Sequence, residues 1–481
     1  MNIRRLLGET IIYGIGAILP RVITFLLNPL YIHYIDKEAF AIFTSLYAWI
    51  AFINIVLTFG FETAFFRFAS DKETVAGGER TVFSTAFWFV TAVAGVFLLN
   101  VLLFSQPLAQ VLDYANHPEF LRWFAWIAFL DAVCMLPFAW LRFHSQPVKY
   151  SVIRVTSILI QTILVIVLFR FIPVDTAKSF GLTEQVSYPF FANLIASLAT
   201  FAMLLPVIKQ VQFRMDMALC KRMLKYSYPV MLAGLAFMVN ENFDKNIQYY
   251  VIAKEDAGAY GGVYKLAVLM TLFVTAYRMG IEPFLFKQMH NANAKTTYAM
   301  MTEYFTIFAS VVALGIIANI SWLKRLFITD ASYWTAMGIV PIIVIANLCF
   351  GIYYNLSTWY KVTDRTGIGS AISWLGAGLT ILLHMLFLQK YGFMASAWIT
   401  LAVYFIMMMV SYGLGQHFYP IPYNTKKIVG LLATLSVFTI VIVSVFNHNF
   451  WLSNVLLLVY IAVVGYSERR LLAKVVKRRA A

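Results

Sequence analysis

The stretch that decides the fold is residues 11–35, IIYGIGAILPRVITFLLNPLYIHYI. It is long enough to cross a bilayer as a helix, yet Pro20 and Arg21 stand near its middle and Pro29 follows further on. Prolines bend a membrane helix and are tolerated where neighbours or water satisfy the freed carbonyls. Because a charge facing lipid at this depth is costly, Arg21 is expected to face either a water-filled cavity or a structural ion-pair partner.

The rest of the chain has the composition of a polytopic, all-α membrane protein. Of 481 residues, 61% are hydrophobic and 12% charged, with a mean hydropathy of +0.77. One span takes about 20 apolar residues, so 14 spans need roughly 280. This is nearly all of the hydrophobic residues in the chain, so no room is left for a large soluble domain. Apolar runs predict spans near 11–34, 38–61, 81–104, 119–141, 150–170, 186–208, 226–252, 257–281, 300–322, 333–359, 366–388, 392–414, 428–446 and 450–466.

The net charge of +15 is explained by membrane topology and not by nucleic-acid binding. With the N-terminus inside, 24 of the 37 lysines and arginines fall in cytoplasmic segments and 7 in outer loops. This asymmetry fits the positive-inside rule, with both termini cytoplasmic. The basic residues of the C-terminal tail are also suited to anionic lipid headgroups.

A short internal repeat predicts two halves. Residues 61–67, FETAFFR, and residues 281–287, IEPFLFK, each carry an acid followed five residues later by a base, at an offset of 220. Both copies lie at the same end of the second span of a six-helix unit, so we expect parallel repeats related by a pseudo-two-fold axis along the membrane normal. The predicted domains are an N-lobe at 1–208, a basic cytoplasmic linker at 209–225, a C-lobe at 226–414, and two further helices with a basic tail at 415–481.

Several charged residues lie deep within the predicted spans. Asp131 is at mid-depth in the fourth span, as either a partner for Arg21 or a cation or proton site. Arg154 stands near the start of the fifth span, where an arginine either has a functional role or extends to the interface. In the seventh span, VNENFDKNIQ (239–248) pairs Glu241 with Lys245 at i,i+4, and its acids, including Asp244, are either a structural seam or substrate contacts.

Two lysines are predicted to form an anion site. Lys245 and Lys265 are each about ten residues from the outer hairpin at 254–256, which places them at similar depth on adjacent helices. Arg278 and Glu282 close the eighth span on the cytoplasmic side, where the arginine either extends to the interface or contacts substrate. The aromatic run 353–360 there is interpreted as an interfacial belt.

The motif content indicates a transporter and not an enzyme. The sequence has no Walker A loop and no HExxH, CxxC or GxSxG arrangement. Its seven histidines do not cluster, and Cys134, Cys220 and Cys349 have no ligand spacing, so no metal or other cofactor is expected. A membrane-embedded polysaccharide polymerase or transferase stays as a weaker alternative.

At GETIIYGIGAILPRVITFLLNPLY (8–31) and GFETAFFRF (60–68), the sequence resembles the Wzx-type polysaccharide flippases of the multidrug, oligosaccharidyl-lipid and polysaccharide exporter superfamily. The resemblance implies translocation of an undecaprenyl-diphosphate-linked oligosaccharide, an O-antigen (lipopolysaccharide) or capsule repeat unit, across the bacterial inner membrane by alternating access through a cationic cavity. It also implies polysaccharide polymerase and ligase proteins as partners, besides membrane lipids. An ion-coupled multidrug antiporter is the main alternative.

The resemblance matches Arg21 to a basic position in the first span of the family, as a diphosphate or anionic-sugar contact. The first span contains no carboxylate of the kind common in drug exporters, and the deep charges sum to about +2, which suits an anionic headgroup. The candidate substrate contacts are Arg21, Asn28, Arg142, Arg154, Lys245, Lys265 and Arg278. The candidate cytoplasmic-mouth residues are Glu62, Arg67, Glu282 and Lys287. The candidates for coupling to Na⁺ or H⁺ are Asp131, Glu241 and Asp244.

Overall fold

The computed structural model describes residues 3–70, 78–115, 117–288 and 291–468, with side chains omitted at 3–11, 13, 282–284 and 286–287. Within these ranges the chain is helical and has no strand. It forms two compact units, which we call unit 1 (Met1–Gly258) and unit 2 (Ala259–Ala481). The all-α, polytopic fold class expected from composition is confirmed.

Unit 1 is a bundle of long helices with several short helices between them. Its helices are α1 (Ile3–Leu26), α2 (Asn28–Tyr34), α3 (Lys37–Thr58), α4 (Phe61–Ser70), α5 (Gly78–Leu103), α6 (Ser105–Val111), α7 (Pro118–Phe143), α8 (Pro147–Arg170), α9 (Val174–Ser179), α10 (Ser187–Ile208) and α11 (Met217–Val251). The next helix, α12 (Lys254–Gln288), begins in unit 1 and continues into unit 2.

Local sequence accounts for the main helix boundaries of unit 1. Helix α1 ends just before Leu27 and α2 begins just after it. Pro29 lies in the first turn of α2, where a backbone N–H would have no partner within the helix. The carboxylate of Asp36 accepts a 2.9 Å hydrogen bond from the N–H of Ala39 and so caps α3. Pro20 lies within α1, which continues through it.

The core of unit 1 lies where α4, α5 and α7 meet. In α4, Phe61 and Phe65 are fully buried one turn apart, and Glu62 and Arg67 occupy less buried positions on the same short helix. The rings of Phe83 and Trp140 pack nearby with centroids 4.5 Å apart. Burial of the phenylalanines of α4 therefore fixes where its two charged side chains lie.

Unit 2 has the remaining helices. They are α13 (Ala294–Ala318), α14 (Ile320–Phe327), α15 (Ile339–Leu356), α16 (Thr358–Val362), α17 (Thr366–Phe418), α18 (Thr425–Ile440) and α19 (Phe450–Ser467), with a 3₁₀ segment at Ala331–Ala336 and a π segment at Val441–Val445. In α17 the backbone is non-helical at Gly392 (φ 59°, ψ −154°), so α17 is two helices joined at a kink. That kink lies at the first residue of the span predicted at 392–414, just beyond the span predicted at 366–388.

The number of spans is close to the predicted fourteen. Among the described residues, twelve helical segments are long and apolar enough to cross a membrane, and one of these is the two-part α17. Helix α11 has the length of a span, at 35 residues, but is more polar because it contains the 239–248 run.

Helix α11 differs from the sequence-based expectation in two ways. It begins at Met217 with Asp216 as its N-cap, so residues 217–225 of the predicted linker are helical. It also packs against α3 and α4 and belongs to unit 1, although the predicted C-lobe begins at 226. The lobe boundaries proposed from the sequence stay a prediction.

A group of contacts at the predicted outer end of unit 1, which we call the outer cluster, joins the end of α11 and the start of α12 to the start of α3 and to the loop after α6. Its members are Lys37, Asp113, Tyr249, Lys254, Glu255 and Gly258. Lys254 Nζ lies 2.7 Å from Asp113 Oδ2, and Lys37 Nζ lies 3.3 Å from Glu255 Oε2. The hydroxyl of Tyr249 donates to the carbonyl of Asp113 at 3.0 Å. These contacts hold the α11–α12 turn against the rest of unit 1.

Tyr114 extends these contacts toward the interior. It stacks on Tyr249 with ring centroids 5.1 Å apart, and its hydroxyl donates to Ser45 Oγ at 3.0 Å. Burial raises the pKa of the Tyr114 phenol, so the proton needed for this hydrogen bond stays in place. Ser45 in turn donates to Asn246 Oδ1 on α11, at 3.4 Å.

In unit 2, Lys427 anchors α18 to two other helices. Its ammonium lies 2.5 Å from Glu303 Oε1 on α13 and also pairs with Glu468, which follows α19. The three side chains are between 14% and 22% exposed, so solvent weakens their attraction only in part. One lysine therefore ties the C-terminal helix pair to α13.

Replacing Lys427 with methionine should destabilise unit 2, because the half-buried carboxylates of Glu303 and Glu468 both lose the ammonium that they contact. We expect a loss of about 1–3 kcal/mol, the range for hydrogen bonds to charged groups, measured as a lower melting temperature of the detergent-solubilised protein. Lys426→Met is the matched control, since the adjacent Lys426 is exposed. Equal melting temperatures for the two variants would contradict the anchoring role.

Candidate functional site

Arg21 lies on an exposed position of α1, although it stands within an apolar span. It follows Pro20, whose carbonyl accepts a 2.9 Å hydrogen bond from Thr24 Oγ1, so the helix is reinforced locally next to the arginine. Asn28, another predicted contact, is 1% exposed at the start of α2. In this conformation Asn28 is covered by packing and Arg21 is accessible.

Asp131 lies in a group of polar side chains from four helices. Ser197 Oγ on α10 donates to Asp131 Oδ1 at 3.0 Å, and Asn193 Nδ2 on the same helix donates to the hydroxyl of Tyr47 on α3 at 3.1 Å. Arg154 on α8 supplies the basic charge that interacts electrostatically with Asp131. We call these five residues the Asp131 cluster: Tyr47, Asp131, Arg154, Asn193 and Ser197.

Arg154 is held by aromatic rings. Its Cζ lies 4.0 Å from the centroid of the Phe138 ring and 5.7 Å from that of Tyr150. A guanidinium over a ring face is attracted by the ring quadrupole, more strongly where water is excluded. The side chain is exposed, and its charged end is directed to Phe138 on α7.

Close packing of α1 on α8 places Arg21 and Arg154 at similar depths in the predicted membrane. Ser151 Oγ donates to the carbonyl of Ile12 at 2.7 Å, and a Cβ at Gly16 would overlap Ser151. Both helices start on the predicted cytoplasmic side. Arg21 is five residues beyond Gly16 and Arg154 three residues beyond Ser151, so their depths differ by roughly 3 Å at 1.5 Å per residue.

The predicted cytoplasmic-mouth residues of unit 1 make specific contacts. Glu62 on α4 forms an ion pair with Arg142 at the end of α7. The Cζ of Arg142 also lies 5.2 Å from the ring centroid of Phe66, and that of Arg67 lies 4.5 Å from the ring of Tyr226. Arg142 was a predicted substrate contact, and here its charge is partly neutralised by Glu62.

The polar run of α11 is largely internal to unit 1. Asp244 and Asn246 are buried, and Lys245 Nζ lies 3.0 Å from Asp244 Oδ1 while donating to the carbonyl of Glu241 at 2.8 Å. The Lys245 side chain is 13% exposed. The charge of this lysine is therefore compensated within its own helix.

In unit 2, Lys265 is half-buried on α12, and Arg278 further along the same helix lies over the ring of Tyr354, with Cζ 4.0 Å from its centroid. The juxtaposition of Lys245 with Lys265 stays a prediction, since the two lysines belong to different units. The side chains of Glu282 and Lys287 lie outside the described part of the structure.

Unit 2 also contains an apolar cavity of about 380 Å³ between α13, α15, α17 and α18. Its wall includes Ile352, Leu356, Met408 and Leu432, with few polar groups such as Tyr412. Such a lining suits a hydrocarbon chain and not a sugar or a phosphate.

Sequence reasoning missed the neutral members of the Asp131 cluster and the role of Tyr354. Tyr47, Asn193 and Ser197 are uncharged, so their position in a span carries little cost and gives no signal. Tyr354 was included in an interfacial belt, although its ring lies beside Arg278. Among the described residues, no group of His, Cys, Asp and Glu side chains is arranged to hold a metal ion.

Comparison with solved structures gives the class of the fold. A structure titled "Lipid II flippase MurJ, inward closed conformation" superposes with a TM-score of 0.78 at 15% identity, covering 96% of this chain and 100% of that one. An inward-facing multidrug resistance MATE family transporter gives 0.64 at 12% identity, over 88% and 99% of the two chains. The Vibrio cholerae MATE transporter VcmN, in its bent form, gives 0.56 at 13% identity, over 90% and 98%. The chain therefore has the fold of the superfamily that its sequence resembles.

The family follows from the sequence itself. A family model described as "Polysaccharide biosynthesis protein" matches residues 6–287, more than half of the chain. No curated protein sequence matches at a significant level. The chain belongs to the polysaccharide biosynthesis protein family.

Proposed function

We propose that this protein is a flippase that moves an undecaprenyl-diphosphate-linked oligosaccharide from the inner to the outer leaflet of the bacterial inner membrane by alternating access. The cargo is an O-antigen or capsule repeat unit, and both termini are cytoplasmic. Family membership and the shared fold support a membrane protein of this kind, as does the similarity to a structure titled as a lipid II flippase.

The observation that carries the proposal is the pair of exposed arginines, Arg21 and Arg154, within apolar spans of unit 1. Charges at that depth avoid lipid and are tolerated where water reaches them. A diphosphate is doubly anionic and accepts bidentate hydrogen bonds, which two guanidinium groups at similar depth are suited to donate. A cationic drug would be repelled by the same charges.

The other proposed contacts are ranked by their surroundings. Arg142 pairs with Glu62, Lys245 pairs with Asp244, and Asn28 is buried. We therefore propose Arg21 and Arg154 as the main contacts of unit 1. Lys265 and Arg278 are the proposed contacts of unit 2.

Ion coupling is proposed at the Asp131 cluster, ahead of Glu241 and Asp244. Asp131 is exposed and accepts a hydrogen bond from Ser197, whereas Asp244 is buried against Lys245. Protonation or Na⁺ binding at Asp131 would change the charge beside Arg154 and so alter the arginine's affinity for an anion. This links the driving ion to the substrate contact.

The apolar cavity of unit 2 is proposed to receive part of the polyprenyl chain. Its lining is suited to hydrocarbon, and the predicted C-terminal helix pair contributes one wall through α18. Membrane lipids and the polysaccharide polymerase and ligase proteins are the proposed partners.

The decisive experiment is transport of fluorescently labelled lipid-linked oligosaccharide in proteoliposomes, together with depletion of the protein in cells. We expect flipping that depends on the protein, and accumulation of lipid-linked oligosaccharide on the cytoplasmic leaflet after depletion. Flipping that is unchanged after depletion, together with altered resistance to cationic dyes, would favour the antiporter, which the MATE-like fold also supports. Flipping that is unchanged after depletion, together with a failure to extend sugar chains, would favour a polymerase or transferase.

A further inference from the structure

Two basic side chains of unit 2 converge on one tyrosine ring. Arg278 Cζ, on α12, lies 4.0 Å from the ring centroid of Tyr354, and Lys361 Nζ, on α16, lies 4.1 Å from the same centroid. The two cationic groups are therefore within about 8 Å of each other. All three side chains are half-buried.

Lys361 lies about two helical turns beyond Tyr354, on the same side of the α15–α16 segment. Helix α15 ends at Leu356 and α16 begins at Thr358, with Ser357 between them. Ser357 Oγ donates to the carbonyl of Tyr354 at 2.6 Å and its N–H donates to the carbonyl of Tyr353 at 2.8 Å, so the helical turn continues beside the ring. Lys361 Nζ donates to the hydroxyl of Tyr354 at 3.0 Å, so both the ring face and the hydroxyl orient this lysine.

The arrangement differs from the other cation–aromatic contacts of unit 2. Four basic residues there each lie over a ring of their own: Lys295 over Tyr419, Lys324 over Trp334, Arg365 over Phe418 and Lys390 over Tyr391. At Tyr354 two basic groups lie over a single ring, so an anion beside that ring can contact both of them at once. A guanidinium supplies bidentate hydrogen bonds and an ammonium supplies a compact charge, a combination suited to phosphate.

We propose that Arg278, Lys361 and the Tyr354 ring form a phosphate-binding site that takes the diphosphate of the lipid-linked substrate. This inference rests on the proposed function and adds Lys361 and Tyr354 to its substrate contacts. In the predicted topology, the ends of the α12 and α15–α16 spans lie on the cytoplasmic side. The site is therefore at the level of inner-leaflet headgroups, where substrate is loaded.

The first test is binding of inorganic pyrophosphate to the purified full-length protein in phosphatidylcholine nanodiscs, measured by calorimetry. We expect Lys361→Gln and Arg278→Gln each to weaken binding at least about tenfold, the loss expected for a hydrogen bond to a charged group. Tyr354→Leu should weaken it as well, whereas Tyr354→Phe should keep most of it because the ring remains. Lys324→Gln is the matched control, since Lys324 also lies 4.2 Å from a ring centroid but without a second cation on that ring in the contacts described.

The outcomes separate the site from the proposed function. Equal pyrophosphate affinity in the wild type and Lys361→Gln, or no binding by the wild type, overturns the site even if the wild type flips lipid-linked oligosaccharide. If the wild type fails to flip lipid-linked oligosaccharide but binds pyrophosphate, and the variants lose that binding as expected, the proposed function is overturned and the phosphate site is kept. If Lys361→Gln does not fold, the pyrophosphate affinities of Tyr354→Leu and Tyr354→Phe are compared instead. Equal affinities of these two variants would overturn the site.

A final arm distinguishes two sources of phosphate. Nanodiscs containing phosphatidylglycerol should leave pyrophosphate binding within about twofold of that in phosphatidylcholine if the site is selective for a diphosphate. Loss of pyrophosphate binding in phosphatidylglycerol would assign the site to a membrane lipid headgroup and overturn the substrate role.

Discussion

Arg21→Ala is expected to reduce flipping of lipid-linked oligosaccharide roughly 100-fold while the protein stays folded in the membrane. A guanidinium that grips a diphosphate through two charge-assisted hydrogen bonds contributes about 1.5–3 kcal/mol for each bond, and every 1.4 kcal/mol is tenfold. Because Arg21 is exposed, its removal leaves no cavity in the core. The measurement is initial flipping rate in proteoliposomes, normalised to protein content.

Three variants make this result interpretable. Arg21→Lys should recover only part of the rate, because an ammonium lacks the planar fork of a guanidinium. Arg170→Ala, which changes another exposed arginine of unit 1 at the end of α8, should leave the rate unchanged. The double variant Arg21→Ala with Asp131→Asn tests the structural alternative, in which Arg21 serves to neutralise Asp131.

Recovery of flipping in the double variant would reject a binding role for Arg21. Normal abundance without flipping in both the single and the double variant would support it. The contacts of Asp131 with Ser197 and Arg154 favour the second result.

Gly258→Ala is expected to have the second large effect, through the structure and not through the substrate. A Cβ at this position would overlap the carbonyl oxygen of Lys37, a backbone atom that cannot rotate away. The start of α12 would have to separate from the start of α3, disturbing the Lys37–Glu255 and Lys254–Asp113 contacts of the outer cluster. Overpacking of this kind costs about 1–3 kcal/mol and more against rigid backbone.

Gly280→Ala on the same helix is a matched control. Among the described residues, no atom outside the adjacent turns of α12 lies within 4 Å of a Cβ built at Gly280, so alanine should be neutral or slightly stabilising through its better helix propensity of about 0.5–1 kcal/mol. Melting temperature in detergent and the yield of monodisperse protein measure both variants. If Gly258→Ala melted at or above the temperature of Gly280→Ala, the close approach to Lys37 would not be a constraint on folding.

Much of the fold could be predicted because the bilayer imposes a simple rule on sequence. Apolar runs of span length mark helices, and the predicted span near 150–170 is observed as Pro147–Arg170. Helix α11 was harder, because Lys221, Arg222 and Lys225 resemble a solvent-exposed linker in composition. Its helical structure is set by the Asp216 cap and by packing on α3 and α4, and neither is visible in a hydropathy profile.

The candidate site could be predicted only at residues whose charge is energetically unfavourable within a membrane span. Arg21, Asp131 and Arg154 were identifiable because charges are rare at that depth. The sequence could not pair Asp131 with Ser197 or seat Arg154 on Phe138, since these contacts join residues far apart in the chain. Tyr354 and Lys361 are about two helical turns apart, but the sequence does not show that Arg278 of α12 lies over the same ring.

The apolar cavity of unit 2 has an energetic consequence for substrate selection. A hydrocarbon chain that enters the cavity moves from the hydrocarbon core of the bilayer to another apolar environment. The transfer releases no ordered water and therefore gains little free energy. Dispersion contacts with Ile352, Leu356 and Met408 are also non-directional, so they do not discriminate between chains of similar width. For the proposed substrate, the polyprenyl tail would thus be accommodated without selection, and discrimination between cargoes would fall to the charged headgroup and its sugars.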